Sequence, residues 1–150
     1  MLNGKKILLI ITGGIAAYKC PDLIRRMRER GAHVRCVITK SAKKFVAPMT
    51  LNAISEERVY EELFSLTDEH EMGHIRLSRD ADVLLIAPAT ANMLTKMAYG
   101  LADDLASSIL LATDKPVFVA PSMNVKMWEH PAIRASLELL HERAIKFIGP

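Results

Sequence analysis

Hydrophobic and polar positions switch along this chain between two periods. KKILLIIT (5–12) is an unbroken run of isoleucine and leucine after two lysines, closed by Gly13-Gly14, the pattern of a strand covered on both faces. AAYKCPDLIRRMRERG (16–31) carries apolar residues at helical spacing, collects basic residues in its last turns and stops at Gly31. HVRCVIT (33–39) predicts a second strand. The stretch 41–66 breaks at Pro48 and reads as two short helices and an irregular return that takes in VYEELF. HIRLSRDA (74–81) predicts a short helix ahead of the third strand, DVLLIAPA (82–89). Helices follow over 90–100 and 103–114, then a fourth strand over 116–121. A helix over 125–144, interrupted near Pro131, leads to a fifth strand over 145–149.

Strands and amphipathic helices thus alternate from end to end, with no repeat, low-complexity tract or linker. That order predicts an α/β, doubly wound parallel sheet of about five or six strands in three layers, Rossmann-like or flavodoxin-like. Sheets of this kind bind ligands outside the carboxyl ends of their strands. Those ends are Thr12-Gly13-Gly14, Thr39-Lys40-Ser41, Ala87-Pro88-Ala89-Thr90 and Ala120-Pro121-Ser122-Met123-Asn124. All are rich in small residues, hydroxyls or amides, so they predict one polar rim that a ligand can approach closely.

Composition narrows the class. At 150 residues, 50% hydrophobic and 25% charged, the chain is long enough for one domain with a core. No apolar run approaches the roughly 20 residues of a membrane span, and the apolar start runs into a glycine turn without a signal-peptide cleavage site. The expectation is a cytoplasmic protein with no membrane partner. The net charge of +3 and an aromatic share of 5% argue against a nucleic-acid surface. Cys20 and Cys36 form no CxxC, and no histidines share a ligand spacing with a carboxylate, so no metal site is expected. Buried free thiols are the plainer reading of both cysteines.

The rim residues suggest what is held there. TGGIAA ends a strand and opens a helix, a setting for a phosphate, although a double glycine also serves simply to make a turn. A dinucleotide fingerprint would need GxGxxG and an acid about twenty residues on, and neither is present. Hydroxyls and a cation at Thr39-Lys40-Ser41 suit the terminal phosphate of a mononucleotide such as FMN, with NADP a second possibility. Thr90 can cap a helix or meet a ligand, and the two are compatible. His74 follows a glycine at a helix start, but on spacing alone a surface or capping role is its plainer reading. In PSMNVKMW (121–128), Asn124 stands between two methionines just beyond a buried strand, where an amide without partners is costly.

Four motifs, TGGIAAYK (12–19), MGHI (72–75), APATAN (87–92) and PSMNVKMW (121–128), together resemble the homo-oligomeric flavin-containing cysteine decarboxylases. The resemblance is nearest to the phosphopantothenoylcysteine decarboxylase domain of bacterial bifunctional flavoproteins of coenzyme A biosynthesis. It implies an enzyme with FMN as cofactor and phosphopantothenoylcysteine as small-molecule substrate. Oxidation of the cysteine side chain to a thioaldehyde gives the carbanion left by CO2 loss a place to delocalise. By resemblance, His74 is the catalytic base and Asn124 binds the substrate carboxylate. Gly13, Gly14 and Ile15, with Thr39 and Ser41 opposite, would hold the FMN phosphate. Thr90, Ala91, Asn92 and Met93, with Ala120 nearby, would lie along the isoalloxazine, and Met123 and Met127 would shape the substrate pocket.

The same resemblance implies a trimer, or a dodecamer of four trimers, with His74 and Asn124 meeting across an interface. Family members continue past a Gly-Pro like that at 149–150 into a flap bearing an ACG-type motif. The expected layout is therefore one flavoprotein domain over 1–150, without the flap or the ligase domain. Three other activities share the fold: flavin prenyl transfer, decarboxylation of a peptide cysteine, and FMN binding by a non-catalytic regulatory subunit. PSMNVKMW argues against the first, the TGGIAAYK form favours the coenzyme A branch over the second, and the presence of both His74 and Asn124 argues against the third.

Overall fold

A computed structural model describes residues 1–61 and 73–149. Its strands are β1 (Lys6–Ile11), β2 (His33–Ile38), β3 (Val59–Tyr60), β4 (Val83–Ala89), β5 (Val117–Pro121) and β6 (Lys146–Phe147). They form one sheet in the order β3-β2-β1-β4-β5-β6, with every neighbouring pair parallel. The helices are α1 (Cys20–Glu29), α2 (Pro48–Ser55), α3 (Gly73–Asp80), α4 (Ala91–Tyr99), α5 (Leu105–Ala112), α6 (Val125–Glu129) and α7 (Pro131–Glu142). Among the described residues, no helix is long and apolar enough to cross a membrane.

The continuous apolar run of β1 has its expected cause. Leu8 and Ile10 enter one core with residues of α3, α4, α5 and α7, while Ile7, Leu9 and Ile11 enter the other with residues of α1 and α2. Ile10 and Leu9 are both fully buried, so the strand has no wet face and no need of alternation. The sheet lies between two helical layers, as the sequence predicts.

Local chemistry sets the ends of elements. Pro21 lies in the first turn of α1, and the preceding stretch, Ile15–Lys19, is a short 3-10 helix, so the single helix expected over 16–31 is two pieces. The expected break near Pro131 separates α6 from α7, with His130 Nδ1 accepting from the Ala132 amide at 3.0 Å. Gly100 ends α4 in the left-handed conformation, at φ 70°.

One expectation is corrected at 59–60. These residues, read as part of an irregular return, form β3, a strand beyond the five expected, pairing Val59 with Cys36 and Tyr60 with Val37. Two residues carry no readable period, and the pairing comes entirely from the neighbouring strand. The rest of that return, from 62 onward, lies outside the described residues.

The chain moves outward from β1 through β2 to β3, then returns to place β4 on the other side of β1. The switch point is therefore between β1 and β4, where Thr12-Gly13-Gly14 faces Ala87-Pro88-Ala89-Thr90. The Ala87–Pro88 peptide is cis, and the β4–β5 register shifts between Ile86 and Ala89.

Candidate functional site

A pocket of about 300 Å³ opens at this switch point, lined by residues that include Thr12, Gly13, Thr39, Ser41, Thr90 and Asn92. Lys40, Lys44, Lys96, Met93 and Asp104 complete it. Three strand tips and the first turns of α4 and α5 therefore converge there. A larger hollow of about 340 Å³ lies at the opposite edge of the sheet, against Lys6, Arg35, Glu57 and Asp80. It lies at the amino ends of β1 and β2, away from the switch point, which makes it the weaker candidate.

The two glycines of the first turn allow two close approaches. A Cβ on Gly13 would fall closer to the Ser41 side chain than side chains tolerate and only 3.2 Å from the Ser41 carbonyl carbon. One on Gly14 would stand 3.3 Å from Pro88 Cγ. The glycines were expected to admit a ligand to the backbone. At Gly13 the space a side chain would take is occupied by Ser41 of the same chain, so the residue brings two tips together.

Ser41 Oγ and Thr39 Oγ1 stand 3.5 Å apart on one turn. Lys96 follows Asn92 by four residues, on the same face of α4, and its ammonium is 2.9 Å from Asp103 and 3.8 Å from Asp104. The bond from Lys96 holds the Asp103 carboxyl below the usual carboxylate range. Asp104 caps α5, accepting from the Ser107 amide at 2.8 Å. Hydroxyls and ammonium groups around a pocket of this size fit a ligand that carries a phosphate.

Of the cofactor residues expected from sequence, Gly13, Thr39, Ser41, Thr90, Asn92 and Met93 line the pocket, while Gly14, Ile15, Ala91 and Ala120 do not. Met93 is 2% exposed and belongs to the core beneath the rim; Ile15 is 72% exposed. Thr90 is a helix cap, its hydroxyl accepting from the Met93 amide at 3.2 Å. Lys44, Lys96 and Asp104 were missed, and Thr12 was read as part of the rim without a role of its own. For Lys96 a signal existed, its i,i+4 relation to Asn92.

Asn124 is the N-cap of α6, and its Oδ1 accepts from the Met127 amide at 2.9 Å. The bond commits the carbonyl half of the side chain and leaves its two N–H groups as the free donors. Met123 packs partly on the core, Met127 is 42% exposed, and Trp128 lies against the core under the Arg134 guanidinium, 4.9 Å from its ring centroid.

His74 stands on the first turn of α3, whose last turn lines the hollow at the amino ends of β1 and β2. It does not line the pocket. Its Nδ1 is buried and without a hydrogen-bond partner among the described residues. Met72 of the MGHI motif lies outside the described residues.

Comparison with known proteins places the fold in a family. The model of the Flavoprotein family matches residues 1–150. The bifunctional coenzyme A biosynthesis protein CoaBC of Vibrio vulnificus is 48% identical over 149 residues, 99% of this chain. The chain spans 37% of the length of that relative. A solved PPC decarboxylase mutant in complex with pantothenoylaminoethenethiol is 40% identical, with a TM-score of 0.84 over 97% of this chain and 82% of that one. The FMN-dependent cysteine decarboxylase SpaF is 29% identical, with a TM-score of 0.92 over 99% of this chain and 85% of that one. The chain belongs to the Flavoprotein family and, within it, to the flavin-containing cysteine decarboxylases.

Proposed function

We propose that this chain is a cytoplasmic, FMN-dependent carboxy-lyase domain that converts 4′-phospho-N-pantothenoylcysteine to 4′-phosphopantetheine in coenzyme A biosynthesis. The observation that carries the reading is the Asn124 amide. An alkyl carboxylate must be held without a full counter-charge, which would oppose its departure as neutral CO2. An amide whose oxygen is committed to a helix cap offers only N–H donors, which suits that task. The identity to CoaBC and to a PPC decarboxylase supports the substrate.

Bound FMN would oxidise the cysteine side chain to a thioaldehyde and return the hydride once CO2 has left. Thr39 and Ser41, with Gly13, Gly14 and Ile15, hold the phosphate of the cofactor in this reading, and Thr90, Ala91, Asn92, Met93 and Ala120 bound its ring. Lys40 and Lys44 add positive charge to the phosphate end, while Lys96 is paired with Asp103 and Asp104. His74 moves a proton, histidine being the side chain that exchanges protons near neutral pH. Met123 and Met127 shape the substrate pocket. The assembly is a homo-oligomer, a trimer or four trimers, in which Asn124 and His74 of different subunits complete one site.

A second reading, a peptide cysteine as substrate, is kept because the fold also matches SpaF, an FMN-dependent cysteine decarboxylase, at a TM-score of 0.92. Anaerobic visible spectra separate the two. The desalted protein should be yellow and should bleach on addition of phosphopantothenoylcysteine, while a peptide ending in cysteine leaves the colour unchanged. Bleaching by the peptide alone would establish the second reading. A colourless protein that takes up no flavin would overturn both.

A further inference from the structure

The backbone ladder between β1 and β4 runs from Ile7 paired with Val83 to Ile10 paired with Ile86 and goes no further. The two chains continue side by side past that point, through the turns that frame the pocket. Thr12 takes over there. It is 2% exposed, its hydroxyl donates to the Pro88 carbonyl, and the same oxygen accepts from the Thr90 amide at 3.1 Å. The main-chain carbonyl of Thr12 accepts from the Gly14 amide at 2.8 Å. One residue thus bonds to the glycine turn on its own strand and to both sides of Ala89 on the neighbouring one.

Neither neighbour has an obvious substitute. The Thr90 hydroxyl accepts from the Met93 amide, and among the described residues the acceptor of the Thr90 N–H is the Thr12 hydroxyl. The Ala89 carbonyl is taken by the Ser122 amide at 3.0 Å, and the Ala87 carbonyl by the Cys20 thiol at 3.2 Å. On its β5 side the segment 87–90 still pairs, Ala89 with Pro121; on its β1 side, among the described residues, the buried hydroxyl of Thr12 supplies its hydrogen bonds to the strand that ends in the Gly13-Gly14 turn.

We propose that Thr12 is a positioning residue for the flavin site: its hydroxyl sets the separation between the Gly13-Gly14 turn and the Thr90-Asn92 turn, the two walls of the pocket at the switch point. The inference deepens the flavin-site reading and rests on it. Thr12 acts through the turns and takes no part in the chemistry.

Thr12→Val and Thr12→Ser test it, each prepared free of flavin and titrated with FMN. Valine keeps the volume and removes the hydroxyl, leaving the Pro88 carbonyl and the Thr90 amide unpaired, so FMN should bind about tenfold or more weakly. The visible band and residual fluorescence of the flavin that does bind should differ from those of the wild-type protein. Serine keeps the hydroxyl and should return both affinity and spectrum. Amide exchange in the wild-type protein without flavin gives a reading that needs no variant to fold: the Thr90 N–H should exchange slowly. Fast exchange at Thr90, or a Thr12→Val protein with wild-type affinity and spectrum, would overturn the proposal even if that protein melts earlier. Failure of the wild-type protein to bind FMN is a different result, and it would sink the flavin site and this inference together.

Discussion

The Asn124 side-chain oxygen accepts the Met127 amide proton at 2.9 Å, so one residue both starts α6 and presents two N–H groups beyond β5. The two roles can be taken apart by substitution. Asn124→Asp keeps the capping oxygen and adds a charge that a helix N-terminus favours, while removing both N–H donors. Its melting temperature should stay close to that of the wild-type protein, and its affinity for phosphopantothenoylcysteine should fall about tenfold or more, because two carboxylates would then face each other. Asn124→Ala loses the cap as well and should be less stable by about 1 kcal/mol. Unchanged substrate binding by Asn124→Asp would return the residue to a capping role alone.

Gly13 is needed for space. Its backbone is not in the left-handed region, and a Cβ there would meet Ser41. Gly13→Ala should cost about 1–3 kcal/mol by overpacking. Adding Ser41→Gly should recover most of that stability in denaturant unfolding, yet leave flavin affinity reduced because the hydroxyl is gone. A neutral Gly13→Ala would show that the two turns can move apart freely.

Cys20 and Cys36 are buried free thiols, and burial pushes both up to about 12 from an ordinary value of 9.0. Alkylation at mild alkaline pH should spare both in the folded protein and modify both after unfolding. The folded state keeps its thiol protons where the unfolded chain has lost them. Their contribution to stability is thus complete below about pH 9 and declines as pH rises toward 12. The double variant Cys20→Ala, Cys36→Ala should lose less stability than the wild-type protein between pH 8 and pH 10.5, measured by urea unfolding; equal losses would contradict this.

Ser136 is fully buried on α7, and its hydroxyl has no hydrogen-bond partner among the described residues. Ser136→Ala removes an unpaired polar group at almost constant volume and should stabilise the fold by about 1 kcal/mol. A lower unfolding midpoint would mean that the hydroxyl has a partner in solution.

Much of the architecture was legible in order of residues alone. The unbroken run before Gly13-Gly14, the basic last turns of α1, the break at Pro131 and the small, polar strand tips are local patterns. Each reports how one element is buried or ended by its own residues. That sufficed for an α/β parallel sheet and for a rim containing Gly13, Thr39, Ser41, Thr90 and Asn92. The two-residue strand at Val59–Tyr60 was not legible, because its cause lies in β2.

What the tertiary structure decided is which tips meet. The sequence determined a set of turns; the strand order determined that Ser41 fills the space at Gly13, that Lys96 reaches the pocket, and that Thr12 bonds to Thr90 across 78 residues. No local period encodes such pairings. They follow from placing β2 on one side of β1 and β4 on the other, a long-range choice made by the two cores on either side of the sheet.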